Sequence, residues 1–186
     1  MQKTSTLLFI LIIGLALGHK AQAQSGYREV GTRFNSFDNF GVIYKKERAE
    51  NSLTRYNLAV LNLGLTEGSR FDGYSFGAQF GMGWEKRKQI EEKLKFIHGF
   101  SPAISFNSSK LTNFDNENSS TTISLELGYI LGLQYDISEN LYVNVEVVPG
   151  LRVSNSSQFD GDFWTFNLGG GTQNAAITLA YRFKKD

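Results

Sequence analysis

Long segments of this sequence alternate between apolar residues and polar or small residues with a period of two. From Ile123 to Ile137 every odd position is apolar, and among the even positions between them only Ile130 is apolar. Successive side chains of a β-strand point to opposite faces, so the segment predicts a strand with one apolar and one polar face. A chain built from such strands must cover the whole apolar face with a core or with lipid.

The same alternation recurs along the chain and predicts eight strands. Their expected bounds are about 27–35, 39–47, 53–64, 74–86, 94–107, 120–137, 141–154 and 174–184. In the third strand the phase slips between Val60 and Leu61, which predicts a β-bulge. Pro102 and Pro149 fall inside predicted strands, where each removes a ladder hydrogen bond and favours a local irregularity.

Three properties of these strands indicate a membrane barrel. Many span roughly 12 residues or more, whereas strands of globular proteins usually have about 5–6 and a tilted transmembrane strand needs about 9–11. The polar face carries charged residues mixed with glycines, which suits a small barrel interior and leaves the apolar face for lipid. Aromatic residues cluster near the strand ends, as expected at the headgroup levels. The sequence therefore predicts an all-β, eight-stranded antiparallel up-and-down transmembrane β-barrel.

The connection lengths predict which ends of the strands face the cell exterior. With both termini on the periplasmic side, the periplasmic connections are 48–52, 87–93 and 138–140. The external connections are 36–38, 65–73, 108–119 and 155–173. Three of these external connections are long and rich in Ser, Asn, Asp and Gly, as outer-membrane barrels prefer. Apolar residues near 87–93 also have helical spacing, so this connection is either a short helix or a plain turn.

The first 23 residues have the pattern of a secretory signal peptide. Lys3 precedes an apolar run from Leu7 to Leu17, and Ala21 and Ala23 supply small residues at the two positions that a signal peptidase reads. The run is about half of the roughly 20 residues that a spanning helix needs, which disfavours the alternative of a membrane anchor. We expect cleavage after Ala23, a barrel over residues 24–186, and passage through the periplasm to the outer membrane of a Gram-negative cell.

The composition excludes several classes of protein. The chain has 186 residues and no cysteine, so we expect one domain without disulfide bonds, cysteine metal clusters or a lipid-anchored N-terminal cysteine. Its 19 basic and 18 acidic residues nearly cancel, so the overall charge gives no indication of nucleic-acid binding. We expect a monomer in contact with outer-membrane lipid, and an external partner that the sequence does not identify.

Several short motifs support a family resemblance. They are the signal ending Ala-Gln-Ala-Gln, the strand Phe40-Gly41-Val42-Ile43-Tyr44-Lys45-Lys46, the pair Arg55-Tyr56, and the ending Tyr181-Arg182-Phe183. With these motifs the chain resembles small outer-membrane β-barrel proteins of Bacteroidota, the family often called outer membrane protein β-barrel domain. The resemblance implies that barrel-assembly machinery reads the terminal aromatic residues during insertion, and it implies no catalytic residues.

The polar face also predicts what fills the barrel. An eight-stranded barrel is just filled by its own side chains, so inward charges must plug it and pair with one another. The expected interior ion-pair network consists of Glu29, Arg33, Glu126, Glu146, Arg152 and Arg182. The alternative is a proton or ion pathway through a narrow wet lumen.

No constellation of residues predicts catalysis, a cofactor or a metal. Without the signal peptide the chain contains a single histidine, His98, which the alternation places on the lipid face without a neighbouring serine. Gly169-Gly170-Gly171 lacks the residues of a phosphate loop. The acidic residues expected in external loops match no calcium-loop spacing, and they are Asp115, Glu117, Asp160 and Asp162.

The leading functional hypothesis is a non-enzymatic outer-membrane barrel with a structural or surface-interaction role through loops 108–119 and 155–173. Four aromatic residues of the last loop are candidates for contact with a partner, or alternatively extend the outer aromatic girdle: Phe159, Phe163, Trp164 and Phe166. Two alternatives are a soluble periplasmic lipocalin-like barrel that binds an apolar ligand and a lipid-modifying outer-membrane barrel enzyme.

Overall fold

The computed structural model describes residues 26–35, 40–67, 71–113, 116–158, 161–169 and 175–184. Ten strands account for nearly all of them: β1 Tyr27–Phe34, β2 Phe40–Ala49, β3 Ser52–Glu67, β4 Phe71–Glu91, β5 Leu94–Asn113, β6 Asn116–Asp136, β7 Leu141–Val147, β8 Gly150–Gln158, β9 Gly161–Gly169 and β10 Ala175–Lys184. In this described part of the chain, no helix is long and apolar enough to cross a membrane.

Eight of the strands form a closed antiparallel ring. Strands β1 to β7 pair in succession, β7 pairs with β10, and β10 pairs with β1. The closing pair sets Glu29 opposite Arg182 and Val30 opposite Tyr181. Closure gives every strand two neighbours, so backbone groups are paired without water, which a hydrocarbon environment requires. The ring confirms the predicted eight-stranded barrel.

The two ends of the barrel differ in construction. One end is termed the base, and it holds Tyr27, Lys184 and the tight connections 50–51, 92–93 and 137–140. At the other end β1 and β2 stop at Phe34 and Phe40, while β3 continues to Glu67. The part beyond the β1–β2 level is termed the crown, and it consists of the ends of β3 to β6 together with β8 and β9.

Three segments that were predicted as external connections are largely strands in the crown. In the predicted connection 65–73, β3 and β4 pair out to Glu67↔Asp72. The predicted loop 155–173 contains β9, which pairs with β8 from Gly150↔Gly169 to Gln158↔Gly161. The predicted loop 108–119 is a hairpin in which β5 and β6 pair out to Asn113↔Asn116. These predictions were wrong because alternation reports a difference between lipid and interior. The tips of β5 and β6 carry polar residues on both faces, so the alternation is lost there although the ladder continues. Strand β9 does alternate, with Trp164 and Phe166 outside and Thr165 and Asn167 on the cavity side, but the alternation is short and flanked by glycines.

Two irregularities in the strands follow from local sequence. The predicted strand 141–154 is split at Val148-Pro149 into β7 and β8, yet both parts pair with β6, and Tyr129 N donates to Pro149 O at 2.8 Å. In β3 the register shifts between Val60 and Asn62, which confirms the predicted bulge.

The charge-dense connection after β4 is a β-hairpin. Strand β4 continues to Glu91 and β5 begins at Leu94, so the helix considered for 87–93 is wrong and the predicted turn is shorter. The backbone nitrogen of Arg87 donates to Asn51 O at 2.8 Å. Glu85 and Arg87 are both buried inside the barrel, which shows that the period of two continues through this segment.

The orientation of the two faces is the one that the alternation predicts. Leu125, Val145 and Phe80 lie on the exterior with 61%, 54% and 50% of their surface exposed. By contrast, Lys45 and Arg55 are fully buried inside the ring. A soluble barrel would have the reverse arrangement, since only lipid covers an apolar exterior favourably.

This orientation predicts the effect of a charge on the exterior of β6. Leu133→Arg places a cation on the exterior apolar band, and we expect it to lower the free energy of unfolding by about 2–4 kcal/mol, the range for arginine near a bilayer midplane. Ser119→Arg, on the same face of the same strand but in the crown, should change it by less than about 1 kcal/mol. Denaturant unfolding of both variants in phospholipid vesicles measures the difference, and equal effects would contradict the assigned orientation.

Candidate functional site: the barrel interior

A continuous cluster of ion pairs fills the base half of the barrel. Its members, termed the ion-pair cluster, are Arg33, Lys45, Arg55, Arg87, Lys95, Arg182, Glu29, Glu85, Asp136 and Glu146. Each of the eight ring strands contributes at least one of these side chains. The cluster therefore connects the whole circumference of the wall from within.

Glu146 is the anion at the crown side of the cluster. Its carboxylate accepts two hydrogen bonds from the Arg55 guanidinium, at 2.8 and 2.9 Å, and lies 2.7 Å from Arg33 Nη1. The paired geometry of Arg55 on a carboxylate is the strong form of this interaction. Glu146 thereby joins β1, β3 and β7 across the barrel.

Glu85 lies at the centre and is shared by three cations. Lys45 Nζ is 3.0 Å and Arg87 Nη2 is 2.7 Å from its carboxylate, while Arg55 Nη1 is 3.5 Å away. Glu85, Lys45 and Arg55 are all fully buried. Enclosed charges of this kind are tolerated because each has a partner of opposite sign.

Glu29 and Asp136 extend the cluster toward the base. Glu29 accepts hydrogen bonds from Arg87 at 2.6 Å and from Arg182 at 2.8 Å. Asp136 lies 3.7 Å from Arg182 Nη2 and accepts a hydrogen bond of 2.7 Å from Lys95. The cluster thus reaches the rim of the base, where Lys95 and Asp136 are partly exposed.

Tyr142 contacts one carboxylate and three cations of the ion-pair cluster. Its hydroxyl donates to Glu29 at 2.7 Å, and the side chain is 1% exposed. The ring centroid lies 5.2 Å from Arg87 and 5.5 Å from both Lys45 and Arg182. The face of an aromatic ring attracts cations, so Tyr142 offsets part of their mutual repulsion.

Glycines on the interior face of β4 make room for this arrangement. A Cβ at Gly83 would lie 3.1 Å from Arg55 Cγ, and a Cβ at Gly81 would collide with the Asn57 amide. The small residues of the polar face therefore let the long side chains of β3 cross the lumen.

The structure separates the six predicted network residues into two groups. Glu29, Arg33, Glu146 and Arg182 lie in the ion-pair cluster. Glu126 and Arg152 form a separate pair, 2.8 Å apart, on opposite residues of β6 and β8. This pair is partly exposed, with Arg152 more open than Glu126.

Sequence reasoning missed six members of the cluster: Lys45, Arg55, Glu85, Arg87, Lys95 and Asp136. Lys45 and Arg55 belong to two of the motifs that support the family resemblance and lie outside the predicted network. Glu85 and Arg87 were assigned to the strand end and the turn, although their odd numbers continue the inward positions of Gly81 and Gly83. Extending the period of two through this segment would have found them.

Above the cluster lies an open cavity of about 1050 Å³, termed the crown cavity. Arg33 of the ion-pair cluster contributes to its lining, and so do Glu126 and Arg152. The remaining polar lining consists of amide and hydroxyl side chains: Asn35, Asn57, Asn62, Gln79, Ser101, Ser105, Asn107, Thr122, Ser124, Ser154, Ser156, Thr165 and Asn167. The charged cluster thus fills the base half, whereas the crown half is polar and hollow.

The aromatic residues predicted as loop contacts lie on both faces of β9. Trp164 and Phe166 pair with Asn155 and Val153 and belong to the exterior face, where they are 67% and 71% exposed. Their position continues the exterior apolar band, as in the girdle alternative. Phe163 occupies the opposite face of β9, and Phe159 lies outside the described residues.

Other candidate residues lie apart from the interior. His98 is on the exterior, where its ring stacks on Phe96 and its Nδ1 is 3.4 Å from the Tyr129 hydroxyl. Within the described residues no group of three or more His, Cys, Asp or Glu is arranged to hold a metal ion. Of the predicted loop acids, Asp162 lies in β9, Glu117 lies in β6, and Asp115 and Asp160 are outside the described residues.

The ion-pair cluster predicts unequal effects for two charge-neutralising substitutions. Glu146→Gln removes the anion that pairs with Arg33 and leaves Arg55 only the longer contact with Glu85, so we expect the free energy of unfolding to fall by about 3–5 kcal/mol. Glu126→Gln removes the anion of a partly exposed pair and should lower it by less than about 1 kcal/mol. Denaturant titration of both variants in the same detergent tests this difference, and equal stabilities would contradict the structural weight given to Glu146.

Comparison with known proteins gives a fold but no family. No family model matches the sequence, and no curated protein is detectably similar to it. A major outer membrane protein from Thermus thermophilus is 13% identical, with a TM-score of 0.52 and coverage of 86% of this chain and 100% of that chain. The attachment invasion locus protein Ail of Yersinia pestis, in complex with the heparin analogue sucrose octasulfate, is 16% identical, with a TM-score of 0.51 and coverage of 86% and 100%. The chain therefore has the fold of small outer-membrane β-barrel proteins.

Proposed function

We propose that this chain is a monomeric integral outer-membrane barrel that does not conduct ions and that presents its crown at the cell surface. The arrangement of the two faces carries the proposal: apolar side chains cover the exterior of a closed ring, while the ion-pair cluster occupies the base half of the interior. Such a molecule is stable in a bilayer and leaves the crown as the part available to external partners. Its role is then structural or one of surface interaction.

The proposal includes the route to the membrane. Residues 1–23 lie outside the described part of the chain, and we propose that they are a signal peptide that is removed during export. The barrel of residues 24–186 then crosses the periplasm and is inserted by barrel-assembly machinery, which reads the aromatic residues Tyr181 and Phe183. Membership of the Bacteroidota family that the sequence motifs suggest is part of the same proposal.

The interior chemistry favours this function over a lipocalin-like carrier. A carrier of apolar ligands needs an apolar cavity. The crown cavity is instead lined mainly by amide, hydroxyl and charged side chains, and the base half is filled by ion pairs. An apolar ligand would have to displace hydrated polar groups, which is unfavourable.

The surroundings of His98 favour a non-enzymatic role over lipid modification. A hydrolytic site needs a nucleophile and a base within hydrogen-bond reach. His98 contacts Phe96 and Tyr129 on the exterior, in an aromatic setting typical of a membrane–water interface. We propose that it serves as an interfacial residue.

The orientation of the barrel is tested by single cysteines, because the natural chain has none. Asp162→Cys in the crown should react with a membrane-impermeant maleimide on intact cells, whereas Asn140→Cys at the base should react only after the outer membrane is permeabilised. Both proteins should appear in the outer-membrane fraction without residues 1–23. Labelling of Asn140→Cys alone on intact cells, or recovery in the soluble periplasmic fraction, would refute the proposal.

The filled base predicts the electrical behaviour of the purified protein. We expect no stable unitary conductance in planar bilayers, because the ion-pair cluster closes the lumen below the crown cavity. The matched measurement uses an established open porin reconstituted in the same lipid. Reproducible single-channel steps from this chain would overturn the closed interior and favour the ion pathway.

A further inference from the structure

The ion-pair cluster carries more positive than negative charge. It contains six cationic side chains, from Arg33 to Arg182, but four carboxylates, which leaves a formal excess of two positive charges. Buried charge that is not neutralised is unfavourable, so an excess of this size favours a counter-anion nearby.

The crown cavity is the space in which such an anion meets the cluster. Arg33 belongs to both: its guanidinium lies 2.7 Å from Glu146, and the residue lines the cavity. The Arg33 side chain is nine-tenths buried, so bulk water solvates little of its charge. A cavity closed at one end and positive there concentrates anions that enter from the crown.

The cavity walls add groups that recognise a hydrophilic anion. Arg152 is 38% exposed, so its guanidinium has donors free for a second partner beside Glu126. Amide and hydroxyl side chains surround it, and Glu126, the carboxylate in the described lining, is held by Arg152. The described lining has no aromatic residue on which a neutral sugar ring would stack. At about 1050 Å³ the cavity also exceeds what a single inorganic ion needs.

We propose that the crown cavity binds a small hydrophilic oxyanion, of the class of sugar phosphates. Arg33 and Arg152 are the cations of the lining that attract its anionic group, and the amide and hydroxyl side chains are the partners of its hydroxyls. The anion is supplied in soluble form from the crown side. This inference concerns the cavity and does not depend on the membrane location, so it is tested on the purified, folded barrel.

Calorimetric titration at one fixed ionic strength compares three probes: a hexose 6-phosphate, inorganic phosphate and the free hexose. We expect saturable binding of the hexose phosphate, weaker binding of inorganic phosphate because it lacks the hydroxyls, and no saturable binding of the free hexose. Absence of saturable hexose phosphate binding, or equal affinity for the free hexose, would overturn the proposal.

Two variants of the cavity wall and one control variant locate the site. Arg152→Gln should weaken hexose phosphate binding about tenfold or more, the effect of losing one charge-assisted contact. Lys86→Gln removes the same charge from an exposed exterior position at the base and should leave the affinity unchanged. Ser124→Asp, which adds a negative charge to the cavity wall without altering an arginine, should also weaken binding. Circular dichroism confirms that each variant is folded, and equal affinities of folded Arg152→Gln and Lys86→Gln proteins would refute the assignment.

Discussion

Charges enclosed by eight strands need partners of opposite sign, because neither lipid nor bulk water solvates most of them. The ion-pair cluster meets this requirement by sharing: Glu85 serves Lys45, Arg55 and Arg87, and Glu146 serves Arg33 and Arg55. Since every ring strand contributes a member, the cluster acts as a set of cross-links between opposite walls. The buried apolar side chains inside the ring are few, Ile43, Ile97 and Ile130 among them, so the ion pairs supply most of the contacts across the interior.

Closure of the ring is the matching constraint on the backbone. A strand edge in hydrocarbon leaves unpaired polar groups, so β10 must return to β1. In the crown this requirement is relaxed, and in the described part of the chain β9 pairs with β8 alone. The molecule is therefore continuous and filled where lipid surrounds it, and more open where its surroundings are polar. This difference places the crown cavity directly above the charged base.

The division between predictable and unpredictable features has a physical origin. The ring, the lipid-facing residues and the bulge after Val60 were predictable, because lipid outside and charge inside impose an alternation on every strand. The tips of β5 and β6 were not, since both of their faces are polar, and the alternation of β9 is too short to distinguish a strand from a loop. The turn at 92–93 was misjudged because the local charge density concealed the continuing alternation of Glu85 and Arg87.

The sequence by itself determined the architecture: which residues face lipid, which face inward, and that the strands close into a ring of eight. It did so because side-chain direction in a strand depends on position parity alone. The tertiary structure decided which inward charges meet, since that depends on register and strand tilt around the ring. The folded barrel brings Glu146 of β7 to Arg55 of β3. Glu126 and Arg152 pair with each other on the wall of the crown cavity, separate from the ion-pair cluster.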